Sequence, residues 1–510
     1  MQAAPSASRR LVTCVFCDLA ESTALGDRAD PEILRELMLG YYEQMQGVVE
    51  RHGGRLEKFI GDAVAAVWGL SKTREDDAQR AVRAAVEMAK VAENLRPDFE
   101  AVAELGFAVR IGVNSGEVMI DPEDLARAAA VLGDAMNTAA RLQTAAAHGE
   151  VVVGELTRGL AGGAIATDPP LELQLKGKAG VVLGYRVRSV SPLSPDRTAG
   201  RTSRMAGRRR ELQTLDEALD EVIQTGACRL VLVTGEPGIG KSRLASEFAH
   251  RSGCTMLRGR CLSYGEGIAY WPLAEIVRAA ADIDPSTRPE DARSRIHALV
   301  DSDPDADRLS AVIGEITGLE RAASAASEIT WATHRLFRHL AGERLVVCID
   351  DLQWSEEPLR ELLLSLPRAL TDVPLLVLCL ARPEVIDRDT HWPRHVRVEP
   401  LESDAAGVLI QELRPDLSPE LVRNIADRSG GNPLFAEELV ATLARQPTST
   451  DPSEDLAVMP DSLRGLVGAR LDMLAPSARA VAACGAVEGE VFHDGAVRAM
   501  TPASQRPGVG

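Results

Sequence analysis

Residues 55–68 read Arg55-Leu56-Glu57-Lys58-Phe59-Ile60-Gly61-Asp62-Ala63-Val64-Ala65-Ala66-Val67-Trp68. Two short apolar runs flank a Gly-Asp pair, a signal for a tight β-hairpin because glycine supplies the positive φ that such a turn demands. The pattern puts Asp62 at the hairpin tip and Lys58 four residues before it on the first strand. A hairpin aspartate is ordinarily a turn former. On this stretch alone, Asp62 is either a turn residue or a hard oxygen ligand.

Two further stretches bear on that choice. Val12-Thr13-Cys14-Val15-Phe16-Cys17-Asp18 is an apolar strand ending on a carboxylate, and Leu19-Ala20-Glu21-Ser22-Thr23 leads from it toward a helix. A strand-end aspartate beside free backbone N–H groups suits a metal-bound phosphate. Leu132 to Leu142 reads as a helix start that sets Asn137 and Arg141 at i and i+4, on one face.

In this order and spacing the three stretches resemble the class III nucleotidyl cyclase domain, over roughly residues 10 to 188. The resemblance implies a ferredoxin-like α+β fold and carries roles over position by position. Asp18 and Asp62 match the two aspartates that hold two divalent ions, Mg²⁺ or Mn²⁺, which favour oxygen ligands and retained waters. Asn137 matches the residue that orients the ribose, and Arg141 the one that neutralises charge growing on the α-phosphate. Lys58 matches the purine reader. An ammonium only donates, so it suits adenine N1, an acceptor, and conflicts with guanine N1–H. ATP is the expected substrate. In the family the metal aspartates and the base and transition-state residues come from different subunits, so a head-to-tail homodimer is implied.

One position departs from the family. Seven residues before Asn137 the family usually carries Asp or Thr, and this chain has Ala130. A lost base contact is worth about 1–3 kcal/mol, enough to loosen selectivity or lower turnover. Near Lys176-Gly177-Lys178 the family has a lysine that reaches the outer phosphates; either lysine fits that place, and so does a solvated loop.

A second nucleotide motif follows. Leu230-Val231-Leu232-Val233-Thr234 runs into Gly235-Glu236-Pro237-Gly238-Ile239-Gly240-Lys241-Ser242, a strand, a GxxxxGK[ST] loop and a helix start. Backbone N–H groups of such a loop cradle phosphates, Lys241 reaches the outer ones and Ser242 reaches Mg²⁺. Leu345-Val346-Val347-Cys348-Ile349-Asp350-Asp351 is a buried strand ending in paired acids. Asp350 is assigned to the Mg²⁺ shell and Asp351 to the attacking water. The next strand ends at Arg382, placed to sense the γ-phosphate, and Gly430-Gly431-Asn432-Pro433-Leu434-Phe435 introduces another helix.

With Gly207-Arg208 and the segment from Gly259-Arg260-Cys261 to Trp271-Pro272-Leu273, residues 206–445 resemble the AAA-like signalling ATPases of the STAND group. That resemblance places the Gly-Asn-Pro segment, Pro433 included, near a nucleotide with one Mg²⁺. A cyclase followed by this ATPase resembles soluble adenylyl cyclases and bacterial cyclase-ATPase regulators.

The implied fold is multidomain, α+β then α/β: a cyclase domain (1–188), a Ser/Pro/Arg/Thr-rich linker (189–205), a parallel-sheet P-loop domain (206–445), and the start of a winged-helix segment with a disordered tail (446–510). At 510 residues, and about 100–200 residues per domain, three or four units are expected. Net charge is −18, from 57 basic and 75 acidic residues without a long basic run, which disfavours a nucleic-acid surface. Apolar runs such as Val373 to Ala381 fall short of the about 20 residues that span a bilayer. Met1 to Arg10 lacks the apolar core of a signal peptide, so a cytoplasmic, non-membrane protein is expected. Eight cysteines in mostly apolar strands read as reduced core thiols. Cys14 and Cys17 have CxxC spacing, but on a strand they point to opposite faces, against a zinc or redox role.

Between the motifs, Asp30-Pro31 opens a helix with a stripe at Leu34, Leu37, Met38, Tyr41, Met45 and Val48, stopped by Gly53-Gly54. A second helix is expected from about Glu75 to Leu95. Phe107 to Val113 is read as a strand with Asn114-Ser115-Gly116-Glu117 as its turn; Val151–Val153 and Gly184–Val187 close the domain. The expected activity is ATP to cyclic AMP and pyrophosphate, tied to an ATP-binding switch module. The rival expectation is an ATP-dependent signalling scaffold whose cyclase domain binds nucleotide but turns over little. Ala130 and the Leu19–Ser22 loop favour the rival; Asp18, Lys58, Asp62, Asn137 and Arg141 favour catalysis.

Overall fold

The computed structural model describes residues 8–20, 30–60, 62–70, 73–103, 107–120, 134–174, 181–190, 205–262, 269–284, 287–320, 324–342, 344–388, 392–445 and parts of 467–500. Contacts divide the chain into two compact units, Met1–Pro192 with Met459–Gly510, and Leu193–Val458.

Among the described residues the first unit is built on eight strands: β1 (Ser8–Leu19), β2 (Arg55–Ile60), β3 (Ala63–Trp68), β4 (Val109–Ile120), β5 (Val151–Gly154), β6 (Ile165–Thr167), β7 (Leu171–Leu173) and β8 (Val182–Val190). Their order is β2-β3-β1-β4-β5-β8-β6, with β7 on β8. β2 and β3 are the expected hairpin, Ile60 opposite Ala63. β1 is flanked by β3 and β4, antiparallel to both, and its last residues set Cys17 opposite Val64 and Asp18 opposite Arg110. Because side chains alternate along a strand, Val15, Cys17 and Leu19 face one core and Val12 and Cys14 the other. Burial pushes both thiols up to about 12. They are inert core groups.

Two helices cover the first of these cores. Asp30 accepts from the N–H of Glu32 at 2.9 Å and so caps the helix Pro31–Arg51, which buries Tyr41, Met45 and Val48. The next helix runs Asp77–Ala103, past the expected end at Leu95, and holds Pro97 inside it. The apolar stripe continues to Phe99, whose ring stacks on Phe107 at 3.8 Å, and that burial carries the helix on. The proline sits on the exposed side, four residues after exposed Glu93, so the hydrogen bond it removes faces water. Buried Arg80 donates to the carbonyls of His52 (3.0 Å) and Gly53 (3.5 Å) and pairs with Asp77, tying this helix to the turn before β2.

The expected turn at Asn114–Glu117 is not there. β4 passes straight through it, pairing Asn114 with Cys14 and Gly116 with Val12. The turn residues find tertiary partners instead: Asn114 donates to the Ala135 carbonyl (3.2 Å), and the Ser115 hydroxyl joins buried Thr13 (2.8 Å) and Thr157 (3.1 Å). A long ladder outweighs local turn chemistry. Ser189 and Val190, expected to open the linker, end β8 opposite Ala166 and Ile165. Residues 191–204 lie outside the described residues.

The second unit holds β9 (Arg229–Gly235), β10 (Thr255–Arg260), β11 (Leu345–Asp350), β12 (Leu375–Ala381) and β13 (Arg394–Val398). They form a parallel sheet ordered β10-β11-β12-β9-β13. Cores lie on both faces, which explains the unbroken apolar runs of β9 and β12. One helical cluster, from Trp271 to Leu340, is inserted between β10 and β11. Another, Ser403 to Arg445, follows β13. Of the segment expected to begin a winged helix, the helix Pro476–Glu488 is described and residues 446–466 and 501–510 lie outside the described residues. Among the described residues no helix is long and apolar enough to cross a membrane.

Candidate nucleotide sites

The first site forms where β1 ends and the β2–β3 hairpin turns. Pairing of β1 with β3 brings Asp18 within hydrogen-bond reach of Asp62. The Asp62 Oδ2 is buried and has no hydrogen-bond partner among the described residues. Asp18 Oδ2 accepts from Gln143 Nε2 at 3.2 Å and from Arg110 Nη2 at 3.4 Å. Burial pushes the Asp18 carboxyl above its ordinary range, and the Asp62 charge and hydrogen bond add to this, while Arg110 and Gln143 pull it back. Two facing carboxyls with an orphaned buried oxygen fit a divalent cation. No cluster of three or more His, Cys, Asp or Glu ligands occurs among the described residues. Among the described residues two carboxylates meet here, and the rest of a Mg²⁺ or Mn²⁺ shell would fall to carbonyls, water and phosphate oxygens.

The helix Asp134–Ala145 lies directly on β4. A Cβ at Gly112 would stand 2.0 Å from the Ala139 carbonyl oxygen and 2.3 Å from the Gln143 nitrogen, so only glycine admits this approach. The inner face buries Met136, Ala139 and Gln143; Asn137 is exposed and Arg141 partly so. Asn137 and Arg141 share the expected helix, yet no hydrogen bond or ion pair among the described residues joins either to Asp18 or Asp62. The Lys58 backbone pairs with Ala65 on β3, and its side chain lies outside the described set. Ala130, Lys176 and Lys178 are outside the described residues. Arg110 and Gln143 were not anticipated from the sequence: one takes its place from strand register, the other from the helix face opposite Arg141.

The second site sits at the carboxyl ends of the parallel strands, where open α/β sheets bind ligands. β9 ends at Gly235, and the helix Lys241–Ser252 begins after a loop with Gly238 (φ 77°) and Gly240 (φ 100°) in left-handed backbone. Lys241 Nζ donates to the carbonyls of Gly235 (2.7 Å) and Glu236 (3.0 Å). The Ser242 hydroxyl donates to Asp350 Oδ2 at 2.8 Å, so the two residues assigned to Mg²⁺ already touch. Burial, then the charge of Asp351, pushes the Asp350 carboxyl up.

Asp351 has left-handed backbone (φ 55°) and is held by Arg260 through Nε (2.6 Å) and Nη2 (2.5 Å), with Gln353 donating at 3.0 Å. Burial raises its carboxyl, but Arg260 foremost, with Gln353 and Lys241, outweighs burial and leaves it below its ordinary range. Gln353 also accepts from the Arg382 N–H (3.2 Å), and the Arg382 guanidinium lies 5.5 Å over the Trp354 ring. Near Pro433 the loop is gripped by neighbours: Asn432 donates to the Pro237 carbonyl (2.9 Å) and the Leu434 N–H to that of Gly238 (3.3 Å). Arg208 donates to the Ile239 carbonyl at 3.1 Å. Asn432 belongs to the Gly-Asn-Pro segment expected near the nucleotide, whereas the contacts of Arg208 and Arg260 were not anticipated.

Residues 5–188 match the family model for the adenylate and guanylate cyclase catalytic domain, and residues 204–378 that for the AAA ATPase domain. An uncharacterized protein of Rhizobium meliloti is 27% identical over 97% of this chain, which spans half the length of that relative. Adenylate cyclase 1 of the same organism is 28% identical over 27% of this chain and 21% of its own. The crystal structure of the adenylyl cyclase CyaB from P. aeruginosa is 24% identical, with a TM-score of 0.33 over 38% of this chain and 98% of that one.

Proposed function

We propose, for a chain that joins an adenylate and guanylate cyclase catalytic domain to an AAA ATPase domain, that the first unit converts ATP to cyclic AMP and pyrophosphate across a homodimer interface and the second binds ATP as a switch. One observation carries the reading. Asp18 and Asp62 meet in one protomer, while Asn137 and Arg141 lie on the outer side of a helix, available to a second copy.

Bound divalent ions would supply a more acidic ribose 3′ hydroxyl and a grip on the triphosphate. Asp18 and Asp62 would hold the ions, with Arg110 and Gln143 holding Asp18. From the partner, Asn137 orients the ribose and Arg141 neutralises charge on the α-phosphate as the 3′ oxygen attacks and pyrophosphate leaves. Lys58, a pure donor, favours adenine over guanine.

The test is complementation. Asp18→Ala removes the metal half of a composite site and Arg141→Ala the transition-state half, so each homodimer is expected to be nearly inactive. In a mixed dimer one site collects both lesions and the other neither. At equal amounts with random pairing, about a quarter of wild-type cyclic AMP formation returns, given the roughly 10²- to 10³-fold loss each lesion causes. Free subunit exchange without recovered activity would sink the shared site and leave the scaffold reading.

In the second unit the grip of Arg260 on Asp351 supports holding ATP over hydrolysing it, because a carboxylate fastened to a guanidinium is a poor acceptor for a water proton. Arg260→Ala is expected to raise single-turnover ATP hydrolysis by roughly tenfold, a part of the about 10²- to 10⁴-fold that a general base typically contributes. Slower turnover in this variant, with nucleotide still bound, refutes the role given to Asp351.

A further inference from the structure

We infer that Gln143 is a positioning residue for the metal carboxylate Asp18, so that one helix serves both composite sites of a dimer. The inference rests on the shared-site reading above. The Gln143 side chain is buried, 4% exposed, and its amide donates to Asp18 Oδ2 at 3.2 Å across 125 residues of chain. Its Oε1 accepts from the Thr144 hydroxyl at 3.4 Å. The backbone beneath it has little freedom, since Gly112 brings β4 against the Gln143 nitrogen. The same strand carries Arg110, opposite Asp18 in register. Both donors converge on Oδ2 and so orient the carboxylate from one side. A neutral amide does this without adding a charge that would compete with the metal.

Helical periodicity supplies the other half of the argument. Gln143 follows Arg141 by two positions, about 200° around the axis, so the inner face holds Asp18 of its own chain while the outer face presents Asn137 and Arg141. One helix thereby joins the metal carboxylate of its own protomer to the residues it offers to the partner.

The experiment uses full-length chains in the complementing pair Asp18→Ala with Arg141→Ala. Gln143→Met, close in volume but without a donor, is placed in one member at a time. In the Arg141→Ala chain, whose Asp18 serves the live site, the Mn²⁺ concentration giving half-maximal activity is expected to rise roughly tenfold or more, the usual effect of losing an outer-shell partner. The rate at saturating Mn²⁺ changes far less. In the Asp18→Ala chain the same substitution is expected to leave the Mn²⁺ midpoint within about twofold, since no carboxylate remains there to position. Gln143→Asn, which keeps the amide but shortens the reach, gives the same asymmetry if the Met variant folds poorly.

Direct Mn²⁺ binding, read from loss of the free-ion paramagnetic resonance signal in chains also carrying Asp350→Asn, is expected to weaken in parallel. Equal midpoint shifts in both placements, or unchanged Mn²⁺ binding, would overturn the inference and leave Gln143 as helix packing. If the reference pair itself is inactive, the shared site has failed, and the resonance titration alone still decides whether Gln143 positions Asp18.

Discussion

Asp62→Asn is expected to lower cyclic AMP formation by at least about 10²- to 10³-fold while leaving the metal-free chain as stable as the wild type or more so. The two effects have one cause. Asp62 has a buried oxygen without a partner among the described residues, beside a carboxyl that burial first and then the Asp62 charge push up. Without a cation the two acids repel, and an amide in place of the second both removes that charge and offers Asp18 a donor. With a cation the same replacement removes a ligand. Cyclic AMP formation in Mn²⁺ and calorimetric melting in a chelator check the two halves, and nucleotide binding at Lys241 is expected to be untouched. A lower melting temperature in chelator would mean that Asp62 is a turn former and that its orphaned oxygen has no functional meaning.

Gly112→Ala acts on the other half of the site. Its new methyl would meet the Ala139 carbonyl oxygen at 2.0 Å and the Gln143 nitrogen at 2.3 Å, and neither backbone atom can rotate away as a side chain does. Overpacking usually costs about 1–3 kcal/mol, and relief requires the helix carrying Asn137, Arg141 and Gln143 to shift. A misplacement on the order of 1 Å is enough to cost about 10²-fold in rate, so activity is expected to fall at least that far even in molecules that stay folded. Gly163→Ala, where a methyl meets nothing within 4 Å, is the matched control. Activity within about threefold of wild type in Gly112→Ala would show that the helix tolerates displacement and that its seat on β4 does not set the site.

The hairpin, the Asn137/Arg141 pair and the phosphate loop were legible in the sequence because each is written in neighbouring residues: Gly-Asp between apolar runs, an i, i+4 spacing, GxxxxGKS after a strand. Arg110, Gln143 and Arg260 were not, because they reach their partners across 92, 125 and 91 residues of chain, and only strand order and register bring them there. The misplaced turn at Asn114–Glu117 is the converse case. Asn-Ser-Gly is good local turn chemistry, but β1 offers it a continuous partner, and the ladder prevails. The second helix outran its expected end for a related reason, since Phe99 finds the Phe107 ring only in three dimensions.

The order of the parallel sheet also sets a timetable for synthesis. β9, which leads into the phosphate loop, lies between β12 and β13, and neither neighbour is adjacent to it in the chain. When Gly235 leaves the ribosome, both edges of β9 lack their strands until Leu375–Ala381 and Arg394–Val398 have been made. At 5–20 residues per second, the roughly 140 residues in between hold an apolar, unpaired strand open for about 7–30 s. Nascent chains arrested before Leu375 should therefore bind chaperones and no nucleotide, whereas those arrested beyond the second unit should bind ATP.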